Sequence, residues 1–199
     1  MKINRKSIFE NIYRNRYIAI LCVILISGTI FGTGLLKVLP ETVCKNIYVF
    51  LSKEPNDYYS QFLNTFSLSF ILLTASYLSG FSLIGKFFVP SIVFFDGTFY
   101  GFKNSIIYKY AGTEYLFQAL ITLILIKFFF EFLLIIISES SVYLSKSYFD
   151  KSKSHENDTF KKSHYNAKNH NVKFIAFTAI LALISAVSAY FTPIIRSLI

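Results

Sequence analysis

Five long apolar blocks run through this chain, at 17–36, 67–84, 87–108, 116–137 and 174–195, with polar stretches between them. Each block holds roughly 18 to 22 residues, which at about 1.5 Å per helical residue matches a hydrocarbon core of about 30 Å. A backbone in lipid must satisfy its own hydrogen bonds, so the blocks are expected as helices. The pattern predicts an all-α, polytopic transmembrane bundle of about five spanning helices, a single domain covering 1–199.

The polar stretches set the expected orientation. Lys2, Arg5, Lys6, Arg14 and Arg16 precede the first block, and Lys86 with Lys146, Lys151, Lys153, Lys161, Lys162, Lys168 and Lys173 falls on the same side after threading. Only Lys37, Lys45, Lys53, Lys109 and Arg196 fall on the other. Cytoplasmic loops carry the excess of Lys and Arg, so the N-terminus is expected inside and the C-terminus outside the cell membrane. Residues 5–16 read as a short amphipathic helix with Ile8, Phe9, Ile12 and Tyr13 on one face, lying on the inner leaflet. The segment 38–66, broken by a Glu54-Pro55-Asn56-Asp57 turn signal, predicts one or two short interfacial helices outside. The 138–173 stretch is expected to be a cytoplasmic loop, flexible over its Ser-, Lys-, Asn- and His-rich 145–172 part.

Composition narrows the class. The chain of 199 residues is 54% hydrophobic and 19% aromatic, too apolar for a soluble domain of this size. Its net charge of +9 lies mainly in the segments that membrane topology assigns to the cytoplasm, so nucleic-acid binding is not indicated. Trp is absent, leaving Tyr17, Tyr108 and Tyr115 to mark the interfaces. The basic N-terminus and following apolar run suit an uncleaved anchor rather than a cleaved signal. Cys22 and Cys44 belong to different depths, which predicts two free thiols.

Four ionisable residues interrupt the blocks: Asp96 and Lys103 in the third, Lys127 and Glu131 in the fourth. A charge in the bilayer is costly and must find a partner within the bundle. Lys127 and Glu131 share a helical face. With antiparallel spans, Asp96 sits about 14 Å and Lys127 about 16 Å from the cytoplasmic ends, so the two are expected to pair near mid-membrane. A structural ion pair fixing helix register, with Lys103 reaching toward the outer interface, is the leading reading; a polar relay is the alternative. Small residues mark packing seams. Gly28 and Gly32, Gly97 and Gly101, and Ser76 with Gly80 stand four apart, and Gly85 follows at the second turn; Ala179, Ala182, Ser185, Ala186 and Ala189 line the fifth block. These seams serve bundle packing or, for a few, a homo-oligomer or partner-helix contact.

His155, His164 and His170 match no zinc spacing, so neither a metal nor another cofactor is expected. No phosphate loop, metalloprotease motif or nucleophile–base pair is present in the sequence, and an enzyme is not indicated.

Taken in order, four blocks resemble the stage II sporulation protein M family of bacterial membrane proteins. They are Gly28-Thr29-Ile30-Phe31-Gly32, Gly80-Phe81-Ser82-Leu83-Ile84-Gly85, Gly97-Thr98-Phe99-Tyr100-Gly101-Phe102 and Ala189-Tyr190-Phe191-Thr192-Pro193. The chain departs from the family pattern at Phe87, where relatives carry proline, and at Asp96, where they commonly carry a basic residue. Ser188 replaces an acid, and the fourth block retains only Glu131 of a longer family motif. The resemblance implies a non-enzymatic component that holds or localises peptidoglycan-remodelling hydrolases during engulfment. The alternative is an accessory or permease-like subunit of an ABC-type exporter or of a bacteriocin export or immunity system, with ABC transporter subunits as partners.

Overall fold

The computed structural model describes the backbone of residues 5–52, 57–153 and 157–197, and the side chains of 16–51, 57–110, 127–149 and 167–190. The described chain is all-helical. Its elements are α1 (Arg5–Leu35), α2 (Glu41–Ser52), α3 (Tyr58–Ser79), α4 (Gly85–Lys153) and α5 (Asn157–Ser197). The first part of the 38–66 segment thus forms a helix, α2, started by the Pro40 carbonyl, which accepts from the Val43 and Cys44 amides at 3.1 Å. Glu41 in its first turn complements the helix dipole.

α4 is not straight. Thirty-one residues of straight helix would separate Asp96 from Lys127 by about 46 Å, yet their side chains are in contact at 2.6 Å. The Lys86 amide likewise donates to Ser145 Oγ at 3.0 Å. α4 therefore doubles back on itself between an outgoing limb (85–110) and a returning limb (127–153).

Pairwise contacts fix the directions of the rest. Gly97 lies against Leu25 and Gly101 against Thr29, so α1 and the outgoing limb run parallel. Ser76 meets Ser138 and Ser82 meets Ser145, so α3 runs parallel to the returning limb. Tyr58 reaches Ala186 while Tyr77 reaches Asn171, which makes α5 antiparallel to α3. Successive rods thus alternate in direction: α1, α3, the two limbs of α4, and α5.

Among the described residues, four helices are long and apolar enough to cross a membrane: Arg16–Leu35, Tyr58–Ser79, Lys127–Phe149 and Ala167–Tyr190. They mark the chain as a membrane protein. The 87–108 block is helical but is not among them, because Asp96, Lys103, Asn104 and two glycines dilute its apolar residues. The block expected at 116–137 extends as helix well beyond residue 137, and its first residues, 116–126, fall where side chains are not described.

The largest correction concerns 138–173. Expected as a loop, it is helical in α4 up to Lys153 and in α5 from Asn157. Far from being a solvated linker, its first residues are core: Ser138, Glu139, Ser140, Ser141, Val142, Leu144 and Ser145 are all buried. Serines satisfied by neighbouring helices can occupy an interior that hydropathy alone would deny them. The amphipathic side chains of 5–15, His155, His164, and Phe191–Pro193 of the fourth resemblance block lie outside the described side chains.

The returning limb is the centre of the molecule. Inside the protein, 61% of its apolar window is buried, against 17% for α1, 11% for α3 and 22% for the α5 stretch. Two hydrophobic clusters flank it. Leu73, Phe130, Leu134, Ile137 and Leu181 join it to α3 and α5, whereas Leu21, Leu25, Val93 and Ile135 join it to α1 and the outgoing limb. Among the described residues α1 packs on α4 alone, while α3 and α5 pack on α4 and on each other. Apolar side chains such as Ile20, Ile26, Ile71, Phe95, Ile175 and Leu183 point outward, the reverse of a soluble bundle.

Candidate functional site

Three groups of residues stand out: a glycine seam, a serine–histidine seam and a charge cluster between them. The glycine seam joins α1 to the outgoing limb. Each of its glycines faces backbone: Gly28 meets the Phe94 carbonyl, Gly32 the Thr98 carbonyl, Gly97 the Leu25 carbonyl and Gly101 the Thr29 carbonyl. A Cβ at any of the four would collide with the neighbouring main chain. Thr29 and Thr98 turn their hydroxyls back to Leu25 and Phe94 one turn earlier, at 3.0 and 2.9 Å, so no polar group is stranded. The contacts are reciprocal because Gly28-Thr29-Ile30-Phe31-Gly32 and Gly97-Thr98-Phe99-Tyr100-Gly101 share one Gly-Thr-x-aromatic-Gly pattern. Two copies of one motif face each other about an approximate twofold relation.

Gly85 and Gly80 do different work. Gly85 begins α4 against the Ser79 carbonyl, closing the turn from α3. Ser145 clamps that turn: its hydroxyl donates to the Ser82 carbonyl at 2.7 Å and accepts from the Lys86 amide. The Lys86 ammonium lies 3.9 Å over the Phe149 ring, holding the end of the returning limb to the same turn. Gly80 makes room for a neighbour; a Cβ there would stand 3.0 Å from both His170 Nε2 and Ser141 Cα.

His170 was not singled out by the sequence except as a poor metal ligand, yet it is fully buried. Its ring stacks on Tyr77, with centroids 4.9 Å apart, while Tyr77 stacks in turn on Phe174 at 4.0 Å. Nδ1 lies 3.0 Å from Ser140 Oγ and Nε2 3.2 Å from the Tyr77 carbonyl. Since that carbonyl only accepts, a hydrogen bond there places the proton on Nε2 and leaves Nδ1 to accept from Ser140. One imidazole therefore ties α3, the returning limb and α5 together. Ser76 and Ser138 add a hydroxyl pair at 2.8 Å one turn deeper. The run Ser138-Glu139-Ser140-Ser141 carried the signal, since its hydroxyls suit neighbouring helices as well as they suit water.

The charge cluster sits between the two limbs of α4. Lys127 Nζ donates to Asp96 Oδ1 at 2.6 Å and stands 3.8 Å from Glu131 Oε1, an ion pair without a hydrogen bond. Asp96 is only 2% exposed. Aromatic faces complete the ammonium's surroundings, with Phe130 at 4.6 Å and Tyr100 at 5.4 Å from ring centroids. Lys103 lies two turns beyond Asp96 on the outgoing limb, near enough for its charge to act on Lys127. The structure thus gathers Asp96, Lys127 and Glu131 at one point, with Lys103 alongside.

The described residues contain no group of His, Cys, Asp and Glu arranged to hold a metal ion. Cys22 and Cys44 are both free thiols. No protein-family model, curated protein or solved structure matches this chain.

Proposed function

We propose that the chain is a five-crossing membrane scaffold, with its N-terminus in the cytoplasm and its C-terminus outside, that holds envelope-remodelling partners at a bacterial membrane. The observation that carries this reading is the alternation in direction of five rods around the buried returning limb. Three run one way and two the other, and the outgoing limb is locked in parallel against α1 by the glycine seam. A rod fixed in this way crosses with its neighbour although it is the least apolar of the five. The resemblance, three of whose four blocks lie at the glycine seam and at the turn into α4, makes stage II sporulation protein M the family to which the scaffold is referred, and peptidoglycan hydrolases the partner class.

The outer ends offer the docking surface in this reading. α2 packs on α4 with Cys44 buried and Tyr48 5.4 Å from Tyr110, while Val43, Val49 and Phe50 remain exposed. Purification from native membranes in mild detergent tests the proposal. A cell-wall hydrolase should co-elute with the native chain and be lost from a Gly97→Leu variant; a native chain recovered alone under several detergents contradicts it.

One observation favours a second reading, a transport accessory subunit: a carboxylate buried deep in the bundle. In that case replacing Asp96 and Lys127 together by Leu abolishes export or resistance without lowering the amount of protein. An unchanged phenotype returns the pair to a structural role.

A further inference from the structure

Two carboxylates in this bundle compete for one close ammonium. Asp96 Oδ1 takes the hydrogen bond from Lys127, and Glu131 is left at 3.8 Å. Asp96 Oδ2 and Glu131 Oε1 are both buried and accept no hydrogen bond. The two acids also repel one another. Lys103 does not relieve this, because it forms no ion pair among the described residues and its own charge repels Lys127. An acceptor buried without a donor is expensive, and more so when it bears a charge. A carboxylate pair crowded in this way accommodates one added proton, which turns an acceptor into a hydroxyl donor and removes the repulsion.

We propose that Asp96 and Glu131, with Lys127 as counter-ion, form a proton-binding site that holds one proton between the two carboxylates. An O–H bond forms on one carboxyl, a hydronium ion gives up its proton to become water, and no bond within the protein breaks. The cluster then carries one carboxylate and one ammonium, paired through the short contact already present. Among the described residues, the other elements packed on α4 bring no competing acid or base to this depth; α2 contributes Glu41, Lys45 and Tyr48, the last against Tyr110. In its apolar stretch α1 contributes only Arg16, Tyr17 and Cys22, and α3 only Tyr58, Tyr59 and Tyr77. The corresponding stretch of α5 contributes Lys168, His170, Lys173 and Tyr190, all near its ends. Within the limbs themselves the facing groups are Lys103 and Tyr100. This site is independent of the scaffold reading, and would persist if no hydrolase were found.

Infrared spectroscopy of the full chain in lipid nanodiscs at about pH 7 reads the site directly, since ordinary exposed carboxyls are ionised there. The native protein should show a carboxylic-acid carbonyl band equivalent to one group from this cluster. That contribution disappears in Asp96→Asn and in Glu131→Gln, because the remaining carboxylate then has Lys127 to itself. It rises about twofold in Lys127→Met, where both acids lose their counter-ion. Glu139→Gln, which alters the buried carboxyl outside the cluster, leaves the contribution in place. Absence of the band in the native protein, or a band that neither amide variant changes, overturns the proposal.

Discussion

The two sides of the molecule are held by different means. Between α1 and the outgoing limb, main chain lies on main chain, and the seam works because Gly28, Gly32, Gly97 and Gly101 have no side chain to interpose. Toward α3 and α5, the seam is made by side chains: His170 with Tyr77 and Ser140, and Ser76 with Ser138. In lipid there is no hydrophobic drive between helices, so close packing and interhelical hydrogen bonds must supply the association. A backbone seam gains from contact along its whole length but cannot accommodate a methyl group. A hydroxyl seam is built of separable bonds, and loses them one at a time.

Breaking the joint between the two sides should cost most. Lys127→Met leaves two buried acids without their cation, and unfolding in mixed micelles should show a loss of about 3 kcal/mol or more. Adding Asp96→Leu to that variant should recover a large part of the loss; simple addition of the two single effects would mean that the contact contributes nothing. Next comes Gly97→Leu, which drives a side chain into the Leu25 carbonyl and should cost about 2–3 kcal/mol. It opens only the α1 side, so the thiol of Cys22, half-buried beside the Leu21–Leu25 cluster, should react faster with maleimide.

Smaller effects are expected on the other side. His170→Leu removes the bond to Ser140 and the bond to the Tyr77 carbonyl, for about 1–2 kcal/mol, and should leave Cys22 reactivity unchanged. If that variant exposed Cys22 as strongly as Gly97→Leu does, the two seams would not be separate. Ser76→Ala is the mildest case. It takes away one interhelical hydroxyl pair, worth about 0.6 kcal/mol in a bilayer protein.

Helical class and membrane residence were legible because long apolar runs admit few other readings. The Asp96–Lys127 proximity followed from counting depth along antiparallel helices, and glycines four apart pointed to close packing. The identity of partners across the glycine seam was less accessible, although the shared Gly-Thr-x-aromatic-Gly pattern was visible in both stretches. What hydropathy hid was the core role of 138–145. Ser138, Ser140 and Ser145 look polar one by one, and only their partners on α3, α5 and the 80–86 turn make them interior, while Ser141 turns its hydroxyl back to the Ile137 carbonyl. His170 was hidden for the same reason: its burial depends on Gly80 leaving room for the imidazole.

The proposed topology has α4 crossing outward and back, so that the chain passes an odd number of times. Single cysteines placed at the N-terminus, at Gly112 between the two limbs and at the C-terminus, in a background lacking Cys22 and Cys44, test this with a membrane-impermeant maleimide on intact cells. Residue 112 and the C-terminus should label from outside, and the N-terminus only after the membrane is opened. Labelling of both ends from the same side, or of residue 112 only from within, would contradict it.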